Sequence, residues 1–568
     1  MSLQKTYCLI ALYFLSHICF AQSVYAPLNS DYSYLLDRYE IKSGNKVGSK
    51  IFNAVKPVLR KDIAQLADTL LQDTTKLYSK VDKFNLQYLQ TDNWEFSKNK
   101  EAGDTKKPFL KAFYQKRNAM YQYKKDYFEV QANPIFYGGA GREQGSNKLD
   151  YINTRGLEVR GSVDKRIGFY TFMTDNQVVF PTYVANEIAT LGAVPGEGSW
   201  SNYKTKGGAD FFTAKGYITF NITKHISAQL GQDKNFIGNG YRSLFLSDFS
   251  SNYMFFKTTT NVGKFNYTTL FAKLNPFLAS EYGKHHPTKF MTMHYLNVNL
   301  SNQFTIGIFE SVTFGNTDSI QPRTFDFNYV NPFIFYKSVE EGGPDKAHIG
   351  FDLKWNFLRH FSFYSQIFID EFLFKNIINH TGWWANKQAV QVGLKCIDVF
   401  GIKNLDMQLE ENIVRPYTYT AFSISTYNNY ANYHNYTNYQ QPLADPFGAN
   451  FYESIGILRY QPSKRLSFVV KTIYTIIGLD PPGKNYGSNI FLDYNTHVKD
   501  FGNTISQGVR TTILYTDFTT TFRAAHNIFI DFKVIVRREN SALTIYNSKT
   551  NYATVAIRWN IPQRLNEY

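Results

Sequence analysis

Beyond residue 20 this chain has no apolar run long enough to cross a bilayer as a helix, and its mean hydropathy is only -0.34. A helical membrane protein, which needs about 20 consecutive apolar residues per span, is thereby excluded. A membrane β-barrel is not, because its strands need only alternate. Cysteine is equally scarce. Of three, Cys8 and Cys19 fall in an N-terminal stretch with the marks of a secretory signal: Lys5 supplies positive charge, and residues 8–20 are apolar apart from Ser16 and His17. Cleavage is expected after Ala21. A lipoprotein anchored on Cys19 is the rival, disfavoured because Ile18 stands where a small residue is needed. The mature chain then keeps only Cys396, which excludes an internal disulfide.

Catalytic signatures are missing too. No glycine-rich phosphate loop, zinc-ligand spacing or nucleophile elbow occurs in a suitable context, so no catalytic residue, metal or cofactor is expected. His285 and His286 are adjacent in a polar segment with no third ligand nearby. Asp370 and Glu371 sit at a strand end, where rim carboxylates usually hydrate or hold bridging cations. The formal charge is +15. Residues 42–125 carry 18 Lys or Arg against 8 Asp or Glu, an excess that suits a solvated basic surface or contact with anionic headgroups or envelope polymer. For a secreted chain without a nucleic-acid motif, no nucleic-acid partner is expected.

What the chain has in abundance is aromatic side chains: 42 Tyr, 49 Phe and 6 Trp in 568 residues. Their spacing divides the sequence. Ile63, Leu66, Ala67, Leu70, Leu71, Thr74, Leu77, Tyr78 and Val81 recur at helical spacing, predicting one long or two shorter amphipathic helices. Residues 93–107 are polar and suit a linker, and another helix is expected within 108–125. After Asp126 the period becomes 2. Ile528, Ile530, Phe532, Val534 and Val536 form one apolar face against Asp531, Lys533 and Arg537, and Val555, Ile557, Trp559 and Ile561 oppose Ala556, Arg558 and Asn560. Hydrocarbon on one face and charge on the other is the lipid-out, lumen-in pattern of an outer-membrane barrel.

Connection lengths give the strand number. Short turns are predicted at Asp164–Lys165, Lys224–His225, Val262–Gly263, Ser301–Gln303, Leu358–Arg359, Ile397–Lys403, Pro462–Lys464 and Ala524–His526. Long polar loops fall at 139–151, 181–208, 236–250, 275–289, 315–346, 372–384, 414–450, 478–505 and 538–550. Eight turns alternating with nine loops require eighteen antiparallel strands. Short turns face the periplasm in such barrels, which would make the helical segment periplasmic and the long loops surface-exposed. A soluble β-sandwich would not favour this alternation. The expected organisation is a signal peptide at 1–21, a basic helical periplasmic segment at 22–125 and an outer-membrane β-barrel at 126–568.

Two features stand out within this frame. Phe304, Ile306, Ile308, Val312 and Phe314 define an outward face on which Glu310 also falls, so either a β-bulge flips the register there or Glu310 contacts another subunit. Trp200, Trp383–Trp384 and the tyrosines at 427, 430, 433, 436 and 439 are rings among polar loop residues. Such rings stack on sugars, and Trp383, Trp384, Tyr430 and Tyr433 are candidate glycan contacts. An interfacial aromatic girdle is the alternative for the tryptophan pair.

The run from Gly231 through Asp233, Phe236, Gly238, Gly240, Tyr241, Arg242, Ser243, Leu244 and Leu246 to Asp248 resembles the signature of Wzi-type capsule-assembly barrels. Asn331–Tyr336 and Tyr364–Phe372 add to the likeness, which covers the chain from about Tyr127 onward. The openings Ala26–Asn29 and Asp37–Glu40 look more like the gliding-motility, RemB-like branch. The resemblance implies an eighteen-stranded barrel with a periplasmic helical bundle and a loop-blocked lumen, acting as a noncatalytic surface lectin for capsular polysaccharide. The basic N-terminal region and the Asn- and Tyr-rich 417–441 loop depart from the capsule proteins. From the residues alone, Gly238 and Gly240 allow sharp bends, and Asp233, Arg242 and Asp248 suit a charged network at the barrel mouth, as a structural lock or as a ligand site. Expected partners are outer-membrane lipid and lipopolysaccharide, and either a surface polysaccharide or an envelope-complex protein of a gliding or secretion machine; a porin-like channel is the remaining alternative. The oligomeric state is not written in the sequence.

Overall fold

The computed structural model describes residues 23–44, 51–73, 77–203, 208–276, 289–315, 327–331, 345–421 and 434–568. Eighteen strands form a closed antiparallel outer-membrane β-barrel. In chain order they are β1 Phe128–Glu143, β2 Asp150–Val163, β3 Ile167–Val179, β4 Gly208–Asn221, β5 Ile226–Asp233, β6 Tyr253–Val262, β7 Phe265–Leu274, β8 Lys289–Asn299 and β9 Phe304–Gly315. The second half comprises β10 Lys346–Phe357, β11 Phe361–Glu371, β12 Lys387–Cys396, β13 Leu405–Val414, β14 Phe451–Tyr460, β15 Leu466–Leu479, β16 Val509–Ala525, β17 Ile528–Ser541 and β18 Ser548–Trp559. No helix among the described residues is long and apolar enough to cross a membrane.

The predicted facing holds in the strand centres. On β17, Ile530 and Phe532 are exposed outward while Asp531, Lys533 and Arg537 are buried inward. Closure is made by β18 against the upper half of β1, from Tyr552 opposite Glu143 to Trp559 opposite Phe136. Below that point β1 would have an unpaired edge, which a membrane does not tolerate. The short strand Tyr121–Lys124 fills it, pairing with residues 129–132. This corrects the helix expected within 108–125: Leu110, Lys111 and Tyr114 take positive φ, and the demand of the open β1 edge overrides a weak helical periodicity.

All eight short turns form where predicted. At Asp164–Lys165 and Leu358–Arg359 both residues take positive φ, between 52° and 56°, the twist that matches a two-residue hairpin to its strands. Two of the nine loops are shorter than expected, at 144–149 and 542–547, because β1 and β17 continue past the apolar band and keep their ladders where both faces are polar.

At the short-turn end sit three helices, α1 Ser30–Ser43, α2 Arg60–Leu71 and α3 Lys80–Asp92. α1 starts at Asn29, whose side chain accepts from Asp31 N, and stops at left-handed Gly44; α3 opens on a Ser79–Asp82 capping box. Ile63, Leu66, Ala67 and Leu70 pack with Leu35, Leu36, Tyr39, Leu86 and Leu89 in one core. The bundle is wedged into the barrel mouth. Arg38 reaches Asp398 and Asp406, Glu40 pairs with Lys354, Asp37 with Lys395, Asn85 with Gln461 and Tyr88 with Asn527, so contacts run along the rim from β10 to β17. Between α1 and α2 the chain climbs into the lumen, where Val55–Lys56 pairs antiparallel with Phe236–Ile237.

Candidate functional site

The segment after β5 is the centre of a plug. Asp233 ends the strand, accepting from Lys234 N and lying 3.5 Å from Lys215. Gly238 has φ +152°, and a Cβ there would come within 2.6 Å of Gln366 Nε2. At Gly240 a Cβ would meet Gln391 Oε1 at 2.5 Å and Glu410 Oε2 at 2.7 Å. That close approach lets the next two amides, Tyr241 N and Arg242 N, donate to the Glu410 carboxylate at 2.6 and 3.0 Å. Ser243 donates to Ile237 O and accepts from Phe245 N and Leu246 N, closing the turn. Leu244, Phe245 and Leu246 are fully buried, with Phe245 stacked on Phe309 at 4.6 Å.

The charged network is not the expected one. Arg242 faces Glu453 at 3.2 Å and Asp445 at 4.0 Å and donates to Glu567 O at 2.6 Å. Asp233 belongs to Lys215, and the Asp248 side chain is exposed, only its carbonyl accepting from Lys234. Burial, with the Glu453 carboxylate beside it, pushes the Asp445 carboxyl well above the usual range. The acids that hold Arg242 come from segments about two hundred residues or more downstream in the chain. Glu453 carries one signal in the sequence, its inward parity on β14, whereas Asp445 and Glu567 lie outside the strands and carry none.

Two further segments lock the plug. Residues 434–450 clamp it through Tyr436 OH on Phe245 O at 2.7 Å and Ser247 N on Leu443 O at 2.7 Å, and Tyr419 OH bonds Leu244 O at 2.9 Å. Tyr436 is therefore an interior residue rather than a surface ring, while Tyr430 and Tyr433 lie outside the described residues. Residues 560–568 turn back into the lumen, which the sequence did not announce. Glu567 pairs with Lys471 and accepts from Tyr241 OH, and Arg537 Nε donates to Tyr568 O at 3.0 Å. We expect Gly240→Ala to loosen this assembly by about 1–3 kcal/mol, the usual cost of overpacking. The check is earlier proteolysis within residues 234–252 with the barrel's heat-modifiable gel mobility retained.

At the long-loop end, Trp384 is built into an aromatic and cationic cluster. Its ring stacks on His497 at 4.3 Å, meets Tyr417 edge-on at 6.0 Å and lies 5.2 Å from Tyr494. Lys387 Nζ sits 3.7 Å from the Tyr494 ring centre and 3.0 Å from Glu371, and Lys346 bridges to Asp370 at 2.5 Å. The Asp370–Glu371 pair thus serves ion pairing. Trp383 touches Trp384 edge-on at 6.4 Å and is half-buried.

Glu310 is on the outward face without a bulge: β9 keeps unbroken register with β8 and β10. The chain itself covers it, leaving it 3% exposed with its carboxylate 3.4 Å from His294 Nδ1. Farther along the same face, Tyr329 stacks on Phe314 at 4.4 Å. Tyr329 brings a residue from outside the strands over the outer wall at Phe314, and Glu310 itself is buried within this chain. No group of three metal-ligating side chains occurs among the described residues; His285 and His286 lie outside them, as does most of Asn331–Tyr336.

No family model and no curated protein matches this chain. Among solved structures it is similar to Wzi of Escherichia coli, described as an outer-membrane protein involved in group 1 capsule assembly and a carbohydrate-binding β-barrel. The two share 13% identity over 94% of this chain and 99% of that one, with a TM-score of 0.54. OprD of Pseudomonas aeruginosa matches 76% of this chain and 94% of its own at 8% identity and TM-score 0.41, and OccK5 of the same organism gives 9%, with 76% and 97% covered and TM-score 0.39. At 13% identity the likeness to Wzi is one of architecture: a closed outer-membrane barrel matched along nearly its whole length.

Proposed function

We propose that the protein is a noncatalytic surface-assembly barrel that binds an exported polysaccharide, with its long loops outside the cell and its helices in the periplasm. The observation that carries this is the filled lumen. The signature segment, residues 434–450, residues 560–568 and the helical bundle occupy it together, and side chains of all four are buried among the described residues. A porin needs an open bore; a barrel that spends its interior on a plug is suited to holding something at its mouth. The carbohydrate binding described for Wzi, and the short-turn rule for orientation, support the same reading. The surface of choice is the cluster around Trp384, where flat rings, lysines and carboxylates converge. Trp383→Ala should reduce retention of surface polymer on intact cells, or binding to immobilised glycan, by roughly fivefold, the order of one aromatic stacking contact. Unchanged retention in Trp383→Ala and Trp384→Ala would remove this cluster as the glycan surface.

A second reading, a structural subunit of a gliding or secretion machine, draws on Phe400, Phe109 and Leu110, which are 92%, 65% and 72% exposed. Phe400 lies in a turn at the bundle end of the barrel. Affinity purification in mild detergent separates the two: a stoichiometric envelope protein lost in Phe400→Ser would favour the second.

A further inference from the structure

Two cavities remain inside the lumen. One, of about 300 Å³, lies between the start of α1, the plug and residues 561–568; the other, of about 100 Å³, continues along β14–β18 toward the turn at 461–465. They share Asn29, Tyr34, Arg459, Gln563 and Leu565, so Arg459 stands at their junction. Twelve Lys or Arg but only six Asp or Glu line the pair. Many of these cations are matched within the fold, as Arg242 is by Glu453 and Lys395 by Asp37.

Four are held differently. Lys56 Nζ donates to Gly238 O at 3.1 Å, and Lys234 Nζ to the carbonyls of Gly196 and Asp248 at 2.6 and 3.0 Å. Burial brings both lysines down to about 8, so both are still largely charged at neutral pH. Arg459 lies over Tyr34 at 4.8 Å and Arg523 over Tyr88 at 4.3 Å; neither Arg459 Nε nor Arg523 Nη1 has a hydrogen-bond partner among the described residues. A buried guanidinium N–H left without an acceptor is destabilising, and a bound anion removes that cost. Carbonyls and ring faces position a cation without neutralising it.

We propose that these joined cavities are an internal anion-binding site centred on Arg459, which takes the carboxylate or phosphate of an acidic sugar. Naming a sugar rests on the polysaccharide reading; the anion chemistry does not. Tyr34 and Tyr241 supply ring faces beside the cations, and 300 Å³ is at the small end of ligand sites, room for one or two sugar residues rather than a polymer. Exposed Asp248 lines the joined cavities on the long-loop side, and exposed Pro27, Lys464 and Arg465 line them on the short-turn side.

The test is calorimetry on the detergent-solubilised full chain with three probes: inorganic phosphate, a galacturonic acid trisaccharide and maltotriose. The acidic trisaccharide should bind and maltotriose should not. Affinity should fall with added salt, drop by on the order of tenfold in Arg459→Gln, and largely return in Arg459→Lys, since charge-assisted hydrogen bonds are the strong ones. Heat-modifiable mobility checks that each variant is folded, and Arg523→Gln gives a second test if Arg459→Gln is not. Phosphate binding that depends on Arg459, with neither trisaccharide bound, would uphold the anion site and sink the polysaccharide reading. Equal binding of both trisaccharides, insensitive to Arg459→Gln, would overturn the site and leave that reading standing. No binding by any probe would overturn both.

Discussion

Arg38→Ala should undock the helical bundle from the barrel mouth while leaving the strand ladder closed. Arg38 is 2% exposed and sits between Asp82 at 3.1 Å on α3, Asp398 at 2.7 Å in the β12–β13 turn, and Asp406 at the start of β13. Lys42 shares two of these acids, Asp82 at 2.8 Å and Asp398 at 2.7 Å. Removing the guanidinium leaves three carboxylates to one ammonium in a dry setting. Breaking a buried pair in this way costs roughly 3–5 kcal/mol because the partners stay buried and uncompensated. The barrel does not depend on the pair, since its hydrogen bonds close between strands. The expected result is rapid proteolysis within residues 30–92 and raised single-channel conductance, with heat-modifiable mobility unchanged. A variant as protease-resistant as the parent would mean the bundle is held by its other rim contacts.

The same latch has a pH signature. Burial alone would raise Asp398, but Arg38 and Lys42 bring it down to about 2, and the same two cations hold Asp82 below its usual range. A carboxylate depressed in the folded state contributes stability that is complete above its unfolded pKa, near 4, and is lost as pH falls toward the folded value. Undocking in the parent should therefore set in between about pH 4 and pH 2, and the bundle should be indifferent to pH between about 6 and 8.

Which parts of this were legible in advance follows from what carries the information. Barrel facing depends on local period-2 alternation, so Asp531, Lys533 and Arg558 could be placed inward from their neighbours alone. Turn positions follow from breaks in that alternation. The apolar stripe from Ile63 to Leu70 was legible and is α2, with the next helix starting only at Lys80, but α1 did not stand out, because its buried face includes Arg38, Glu40 and Lys42, polar residues satisfied by Asp82 on α3 and by barrel residues more than three hundred positions away. The same limit applies to the site. Gly238, Gly240 and Ser243 mark a special backbone by their residue types, and the structure places them together at the heart of the plug. The acids that fix Arg242, Glu453 on β14 and Asp445 in the 434–450 segment, are remote in sequence, and adjacency pointed instead to Asp233 and Asp248. Glu310 shows the converse: its outward position was correctly read, and what could not be read is that the chain covers its own outer wall there.

Val534→Arg is the sharpest test of the membrane assignment. Val534 lies midway along β17, outward, opposite Phe518 on β16 and Ala553 on β18, so an arginine there projects into hydrocarbon. The cost is roughly 2–4 kcal/mol near the midplane and falls toward either interface, where the side chain can snorkel. Lys533, one residue earlier, points inward and lies 3.0 Å from Asp517. Lys533→Arg keeps a cation beside that carboxylate and should be mild, although the two positions are adjacent in sequence and the introduced residue is the same. Measured by urea unfolding in liposomes and by the fraction of protein running at the folded mobility, Val534→Arg should lose most of its margin and Lys533→Arg little. Equal tolerance would mean that β17 does not face lipid at its centre. The reverse order would mean that the strand is flipped, which the β16 and β18 registers exclude unless both neighbours flip with it.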